Sequence, residues 1–275
     1  MVGTLTTPRG TRGGAPRRDV LRLGAVSYLN VAPIIHGLAG DPDFRLIQEV
    51  PSRVAERLHA GEIDLGTIPS IEYAFGSYAI VPGIAIASRG PVRSVCLYYE
   101  GPLGAVRRVA LDTSSRTSVA LVKILLRERL GEDPEYVPMG PSLDDMLAAA
   151  DAALLIGDPA LYATSDVPRL DLGEEWTKAT GLPFVYAFWA GRAGVVGREE
   201  VERLQESLRL GLAAIPEIAA RYEPGRGRED VSASYLRENI VFTLGEEEKA
   251  GLASFYRRAH ALGLIPRVPE LRFHA

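Results

Sequence analysis

From Leu21 onward the chain alternates two hydrophobic periods, and that alternation predicts the architecture. Apolar runs of strand length stand at Leu21 to Val26, Phe44 to Val50, Ile63 to Ile68, Ile84 to Ala87 and Ser94 to Tyr99. A short helix is expected around Pro33 to Leu38. Val54 and Leu58 share one face of a helix that opens at Pro51-Ser52 and stops at Gly61. Further strands are expected at Val109 to Leu111, Ala152 to Ile156, Leu170 to Leu172 and Phe184 to Ala190. Between them lie helices carrying Val119, Val122, Leu125 and Leu126, then Leu143 to Ala150, then a helix through Trp176 that stops near Gly181. From about Arg198 the pattern is helical, at Val201 to Ala220, Val231 to Val241 and Glu246 to Leu262. Strands and helices in this order predict an α/β fold with a largely parallel sheet covered on both faces.

Several strands end in small polar residues where a helix begins. The first reads Ser27-Tyr28-Leu29-Asn30-Val31-Ala32-Pro33, with the proline suited to a first helical turn. Tyr28, Asn30 and the free helix amides would line the mouth of a sheet, where open α/β folds bind ligands, here a small anion. A plain turn capped by Asn30 is the alternative. Pro69-Ser70 repeats the arrangement. The segment Asp112-Thr113-Ser114-Ser115-Arg116-Thr117-Ser118 puts hydroxyls at the start of a helix, where amides and dipole attract a carboxylate and Arg116 offers a charge to pair with it. Ordinary capping by Ser115 or Thr117 would use only one of those hydroxyls. In Gly157-Asp158-Pro159 the carboxylate either points inward or caps the helix that the proline starts.

Composition narrows the class. At 275 residues with 47% hydrophobic and 24% charged content, the chain has the length of about two units. A net charge of −4 without a basic stripe argues against a nucleic-acid surface. No apolar run reaches the roughly twenty residues that span a bilayer, so no membrane span is expected. Cys96, the single cysteine, reads as a structural thiol in an apolar strand, and no Cys/His cluster has metal-ligand spacing. Residues 1–19 read as a disordered extension with Arg9, Arg12, Arg17 and Arg18 and no acid before Asp19. Asp19 and Arg22 interrupt the apolar residues beyond Arg17-Arg18, so no export signal is expected and the protein is placed in the cytoplasm.

Six segments occur together in order: SYLNVAP, GEIDLGTIPSIEY at Gly61 to Tyr73, GPVRS at Gly90 to Ser94, SSRTS at Ser114 to Ser118, LLIGDPAL at Leu154 to Leu161 and TGLPFVYAFWA at Thr180 to Ala190. Through them the chain resembles the chorismate dehydratases of the futalosine route to menaquinone, from about Leu21 to the C-terminal helices. The resemblance implies a two-lobed α/β fold similar to type II periplasmic binding proteins, with the ligand in the cleft between lobes. Lobe one would comprise residues 20–99 and 187–275, and lobe two residues 100–186. The implied reaction is loss of water from chorismate to give 3-[(1-carboxyvinyl)oxy]benzoate, with neither cofactor nor metal.

On this resemblance Asn30 and Ser94 are the candidate catalytic residues. Ser27, Tyr28, Ser70, Ser115, Arg116, Thr117, Ser118 and Asp158 are the candidate substrate contacts. The base is open among Glu72, Asp158 and the substrate's own enolpyruvyl carboxylate, held by Asn30 and Ser94. His36, His59, His260 and His274 lie outside the polar turns and are expected on the surface or in helix packing. Two other readings share the fold. A solute-binding or sensory protein needs the cleft without the chemistry. The sister enzyme 1,4-dihydroxy-6-naphthoate synthase uses an active-site histidine, and this chain has none between His59 and His260. The helical region after Arg198 shows no recognisable chemistry, and no protein partner is indicated.

Overall fold

The computed structural model describes residues 20–275, so the expected extension at 1–19 lies outside the described residues. Among the described residues eleven strands form two sheets: β1 (Leu21–Val26), β2 (Phe44–Glu49), β3 (Leu65–Pro69), β4 (Tyr78–Ile80), β5 (Ile86–Ser88), β6 (Val95–Tyr99), β7 (Arg108–Asp112), β8 (Glu135–Met139), β9 (Ala152–Ile156), β10 (Arg169–Asp171) and β11 (Phe184–Arg192). The first sheet runs β2-β1-β3-β11-β4 with β5 also on β11; the second runs β10-β6-β9-β7-β8. Apolar runs buried on both faces make the centres, with β3 and β9 buried along their whole length.

Both sheets are mixed rather than largely parallel. Pairs β1·β2, β1·β3, β7·β8 and β7·β9 are parallel, with helical crossovers joining their strands. The two strands that follow a passage between lobes, β6 and β11, run antiparallel to their neighbours. These passages also move the expected lobe boundaries. β6 pairs with β9 in the second sheet although it precedes residue 100, and β11 joins the first sheet from Phe184, before residue 187.

The expected helices form at Pro51–His59, Thr117–Leu130, Leu143–Ala149 and Leu172–Thr180. Farther on, the single helix expected to Ala220 divides into Arg198–Ala213 and Ile215–Arg221, because Pro216 in the first turn of the second cannot donate to the turn before it. The expected helix at 231–241 is a short α-helix, Glu229–Ser234, that continues as a π-helical turn, Tyr235–Asn239. Helix Glu246–Ala261 lays Phe255 on Phe184 of β11 with centroids 5.0 Å apart, and Trp176 joins them at 5.2 Å from Phe184, which fastens the second passage between lobes.

Cys96 is buried in β6, and burial pushes its thiol up to about 12. His274 departs from expectation. The C-terminal residues lie along β4, with the His274 amide on the Ile80 carbonyl at 2.9 Å and the imidazole buried. Among the described residues no helix is long and apolar enough to cross a membrane.

Candidate functional site

Where β1, β3 and β9 end and β6 begins, the two lobes border a narrow cavity of about 50 Å3. Three polar segments meet there.

The first follows β1. Tyr28 has extended backbone and precedes a 3-10 turn, Leu29–Val31, with no side-chain cap. The capping role for Asn30 is therefore not taken up. Its Oδ1 is buried without a hydrogen-bond partner and lies at the cavity. Ser94, also at the cavity, has its Oγ 2.8 Å from the Tyr235 phenol. The Tyr28 phenol crosses to the other lobe, donating to Ser114 Oγ at 3.1 Å, and is pushed up to about 12, chiefly by burial.

The second segment, Gly90 to Ser94, is the passage between β5 and β6. Arg93, with φ 64°, is the only residue other than glycine among those described in the left-handed region, a costly conformation that needs support. Asp171 supplies it. Its carboxylate accepts from Val92 N at 3.0 Å and Arg93 N at 2.6 Å, and also caps helix Leu172–Thr180 through Gly173 N and Glu174 N. Burial raises the pKa of this carboxyl, against the lowering effect of the four amides. Ser94 is thus delivered to the cavity by a backbone pinned one residue earlier.

The third segment follows β7. Asp112, fully buried, accepts from Ser114 N at 2.9 Å, Ser114 Oγ at 2.6 Å and Ile156 N at 3.3 Å, which sets the loop before helix Thr117–Leu130. Burial raises the Asp112 pKa. Ser115 Oγ accepts from Ser118 N at 3.2 Å and so caps the helix, while Thr117 Oγ1 accepts from Ile71 N of the opposite lobe at 3.2 Å. The helix start, with its positive dipole end, faces the cavity.

Tyr28, Asn30, Ser94, Ser115, Thr117 and Ser118 therefore meet around one cavity. Four expected contacts do not line it. Ser27 is exposed and offers its carbonyl to Tyr222 OH at 3.1 Å. Ser70 is buried and donates to the Val185 carbonyl at 2.8 Å. Arg116 turns to carboxylates of lobe one, 2.9 Å from Glu56 and 3.2 Å from Glu72, rather than to the cavity. Asp158 neither caps nor points inward. It joins the lobes by accepting from Leu29 N at 3.1 Å and from the Tyr222 hydroxyl, and burial raises its pKa. Glu72 is also outside the lining, held by Arg116 and by His59 Nε2 at 2.7 Å, and His59 Nδ1 meets Tyr78 OH at 2.7 Å. His59 is exposed, as expected, and belongs to a polar chain with Glu72 and Tyr78.

Sequence reasoning missed Tyr222 and Tyr235, because no motif surrounds them and the contacts they make lie more than sixty residues away. It also missed the role of Gly157. With φ +64°, it lies under the Tyr28 ring, where an added Cβ would meet the ring at 2.5 Å. Among the described residues no group of three or more His, Cys, Asp or Glu is placed to hold a metal ion. A second groove of about 190 Å3, near Leu97, Val122 and Leu172, is walled by apolar side chains, and Arg129 and Glu175 at its edge pair with each other at 2.7 Å.

Solved structures show the same fold. A protein from Archaeoglobus fulgidus superposes with a TM-score of 0.71 at 20% identity, covering 89% of this chain and 98% of that one. The periplasmic aliphatic sulphonate binding protein SsuA of Escherichia coli superposes with a TM-score of 0.63 at 18% identity, covering 91% and 90%. The two-lobed periplasmic-binding-protein-like fold is therefore established, and likenesses this distant show the fold alone. In sequence, the chain is 35% identical over 263 residues to the chorismate dehydratase of Thermus thermophilus, covering 88% of this chain and 95% of that protein. It is 25% identical over 242 residues to the chorismate dehydratase of Campylobacter jejuni, covering 86% and 92%. The profile described as menaquinone biosynthesis matches residues 21–261, and the chain belongs to that family.

Proposed function

We propose that this protein is a chorismate dehydratase, a hydro-lyase that converts chorismate to 3-[(1-carboxyvinyl)oxy]benzoate in menaquinone biosynthesis. A cytoplasmic setting is part of the proposal, in keeping with a biosynthetic family. The observation that carries it is the unpartnered buried Asn30 Oδ1 at a cavity whose polar lining includes Tyr28, the hydroxyls of Ser94, Ser115, Thr117 and Ser118, and a helix start. Such a lining suits a ligand with carboxylates and a hydroxyl.

Chorismate carries two carboxylates. The ring carboxylate would sit at the first turn of helix Thr117–Leu130, with donors from Ser115, Thr117 and Ser118. Removing the ring proton beside the departing hydroxyl develops negative charge that spreads through the conjugated alkene onto this carboxylate, where the donors stabilise it. The enolpyruvyl carboxylate, held by Ser94, takes that proton. The carboxylic acid so formed has Asn30 Oδ1 to bond, and then gives its proton to the leaving hydroxyl. Water departs, the ring becomes aromatic and the carboxylate is restored. Glu72 and Asp158 are not used as bases, since both are engaged outside the cavity lining.

Purified protein incubated with chorismate should yield, by mass spectrometry, a product lighter by one water. Chorismate bound but recovered unchanged would favour a binding protein of this fold instead. An analogue with the enolpyruvyl carboxylate converted to a neutral amide should bind and remain intact; its rapid dehydration would return the role of base to the protein.

A further inference from the structure

We propose that Tyr186 is a specificity-determining residue, whose ring forms a fixed flat wall of the cavity and selects ligands with a planar six-membered ring. This deepens the reading above and rests on that cavity being the substrate site.

Tyr186 lies where β11 carries one residue more than its partner strand. Val185 pairs with Ala87 and Ala187 with Ile86, so Tyr186 is the extra residue of a β-bulge, a device that re-aims a side chain and recurs beside active sites. The residue is 8% exposed and lines the cavity. Its hydroxyl is 2.9 Å from Ser88 Oγ of β5, and Phe184 meets its ring edge to face with centroids 4.8 Å apart. Gly173 closes off the hydroxyl: a Cβ there would stand 2.5 Å from the Tyr186 oxygen and 2.6 Å from Ser88 Oγ. With the hydroxyl engaged, the part of the side chain left to a ligand is the ring.

Tyr28 is the other ring in the lining, but its phenol bridges to Ser114 of the opposite lobe. Tyr186, Ser88 and Phe184 all belong to the first sheet, so this wall keeps its shape even when the lobes part to admit a ligand. The aliphatic lining, Val26, Ile86, Val92 and Ile156, offers no flat surface. Against the Tyr186 ring a planar ligand gains a ring-on-ring contact as well as burial, whereas a puckered saturated ring gains burial alone. The ring of chorismate becomes planar and aromatic as water leaves, so the wall suits it increasingly along the reaction.

Benzoate and cyclohexanecarboxylate share a carboxylate on a six-carbon ring and differ in planarity, so their dissociation constants from the purified protein read the wall without turnover. Wild type should bind benzoate about two- to tenfold more tightly, the worth of an aromatic pair. In Tyr186→Leu, which keeps apolar bulk, the preference should vanish; in Tyr186→Phe it should persist. A preference absent from wild type, unchanged in Tyr186→Leu or lost in Tyr186→Phe overturns the proposal. If the leucine variant does not fold, nuclear magnetic resonance of wild type with isotope-labelled tyrosine takes its place. The Tyr186 ring signals, identified by their loss in Tyr186→Phe, should move on adding benzoate and much less on adding cyclohexanecarboxylate, and equal movement overturns the proposal. With chorismate, Tyr186→Leu should lower kcat/KM by about the same two- to tenfold, and an unchanged value overturns the proposal. A wild type that shows the ring preference but yields no dehydrated product counts against the reaction and not against the wall.

Discussion

Replacing Asp171 by alanine should loosen the protein and its site together. The carboxylate takes four backbone N–H groups, from Val92, Arg93, Gly173 and Glu174. The last two form the cap of helix Leu172–Thr180, and losing a cap costs about 1 kcal/mol. The first two lie in the passage between lobes, where each amide left without an acceptor costs about 1–3 kcal/mol. The sum is about 3–7 kcal/mol, a large part of the roughly 5–15 kcal/mol that a protein typically has. Some of the loss is recovered as Arg93 leaves φ 64°, and that relaxation carries Ser94 away from its place. Urea denaturation followed by circular dichroism should therefore show a much lower midpoint, and kcat should fall even where the variant remains folded. Asp171→Asn, which retains one acceptor oxygen, should lose less on both counts. A stability loss below about 1 kcal/mol with unchanged kcat would refute the role of Asp171 in holding the passage.

Asn30→Ala and Ser94→Ala should each lower turnover about a hundredfold or more with circular dichroism near wild type, and near-normal activity in both would move the site elsewhere. Arg116→Ala should leave KM within about twofold, because the guanidinium faces Glu56 and Glu72, yet cost about 1–3 kcal/mol by removing a partner from the buried Glu72 carboxylate; a tenfold rise in KM would restore Arg116 as a substrate contact. His274 gives a pH dependence. Its ring nitrogens are buried without a hydrogen-bond partner, and burial lowers its pKa below 6.5. The unfolded chain then binds the proton more readily, so the contribution is complete above about pH 6.5 and is lost as pH falls through the lowered value. Urea midpoints at pH 7 and pH 5 should differ more in wild type than in His274→Phe, and equal differences would contradict this assignment.

Elements with a strong local period are legible in the sequence. β9 matches its expected bounds, because five consecutive apolar residues leave no alternative face. β8 is not, since Glu135 to Met139 mixes exposed and half-buried residues and includes Pro138, tolerated at the sheet edge. Three-residue β4 exists by pairing with β11, a partner more than a hundred residues away. At the site the hydroxyl loop and Asn30 are legible because strand-to-helix junctions concentrate such residues. Arg116 misleads as a substrate contact because a charge says nothing of its partner until Glu56 and Glu72 are brought beside it. Tyr235 is invisible for a related reason: a helix boundary that widens into a π turn has no sequence signature, and the turn decides where the phenol points.

The place of β11 in the first sheet bears on the order in which the chain can fold. β3 receives its second neighbour only when residues 184–192 exist, whereas the second sheet is complete within residues 95–171. During synthesis from the N-terminus, β1, β2 and β3 emerge first and must wait with the β3 edge unpaired while the whole of the second sheet is made. Contacts this distant in sequence form slowly, and an apolar open edge invites pairing with another chain. The second lobe is the unit able to mature first, and the first lobe, although it begins the chain, closes last. The cavity between them is therefore a late product of folding, assembled only after the C-terminal half has arrived to supply β11 and Tyr235.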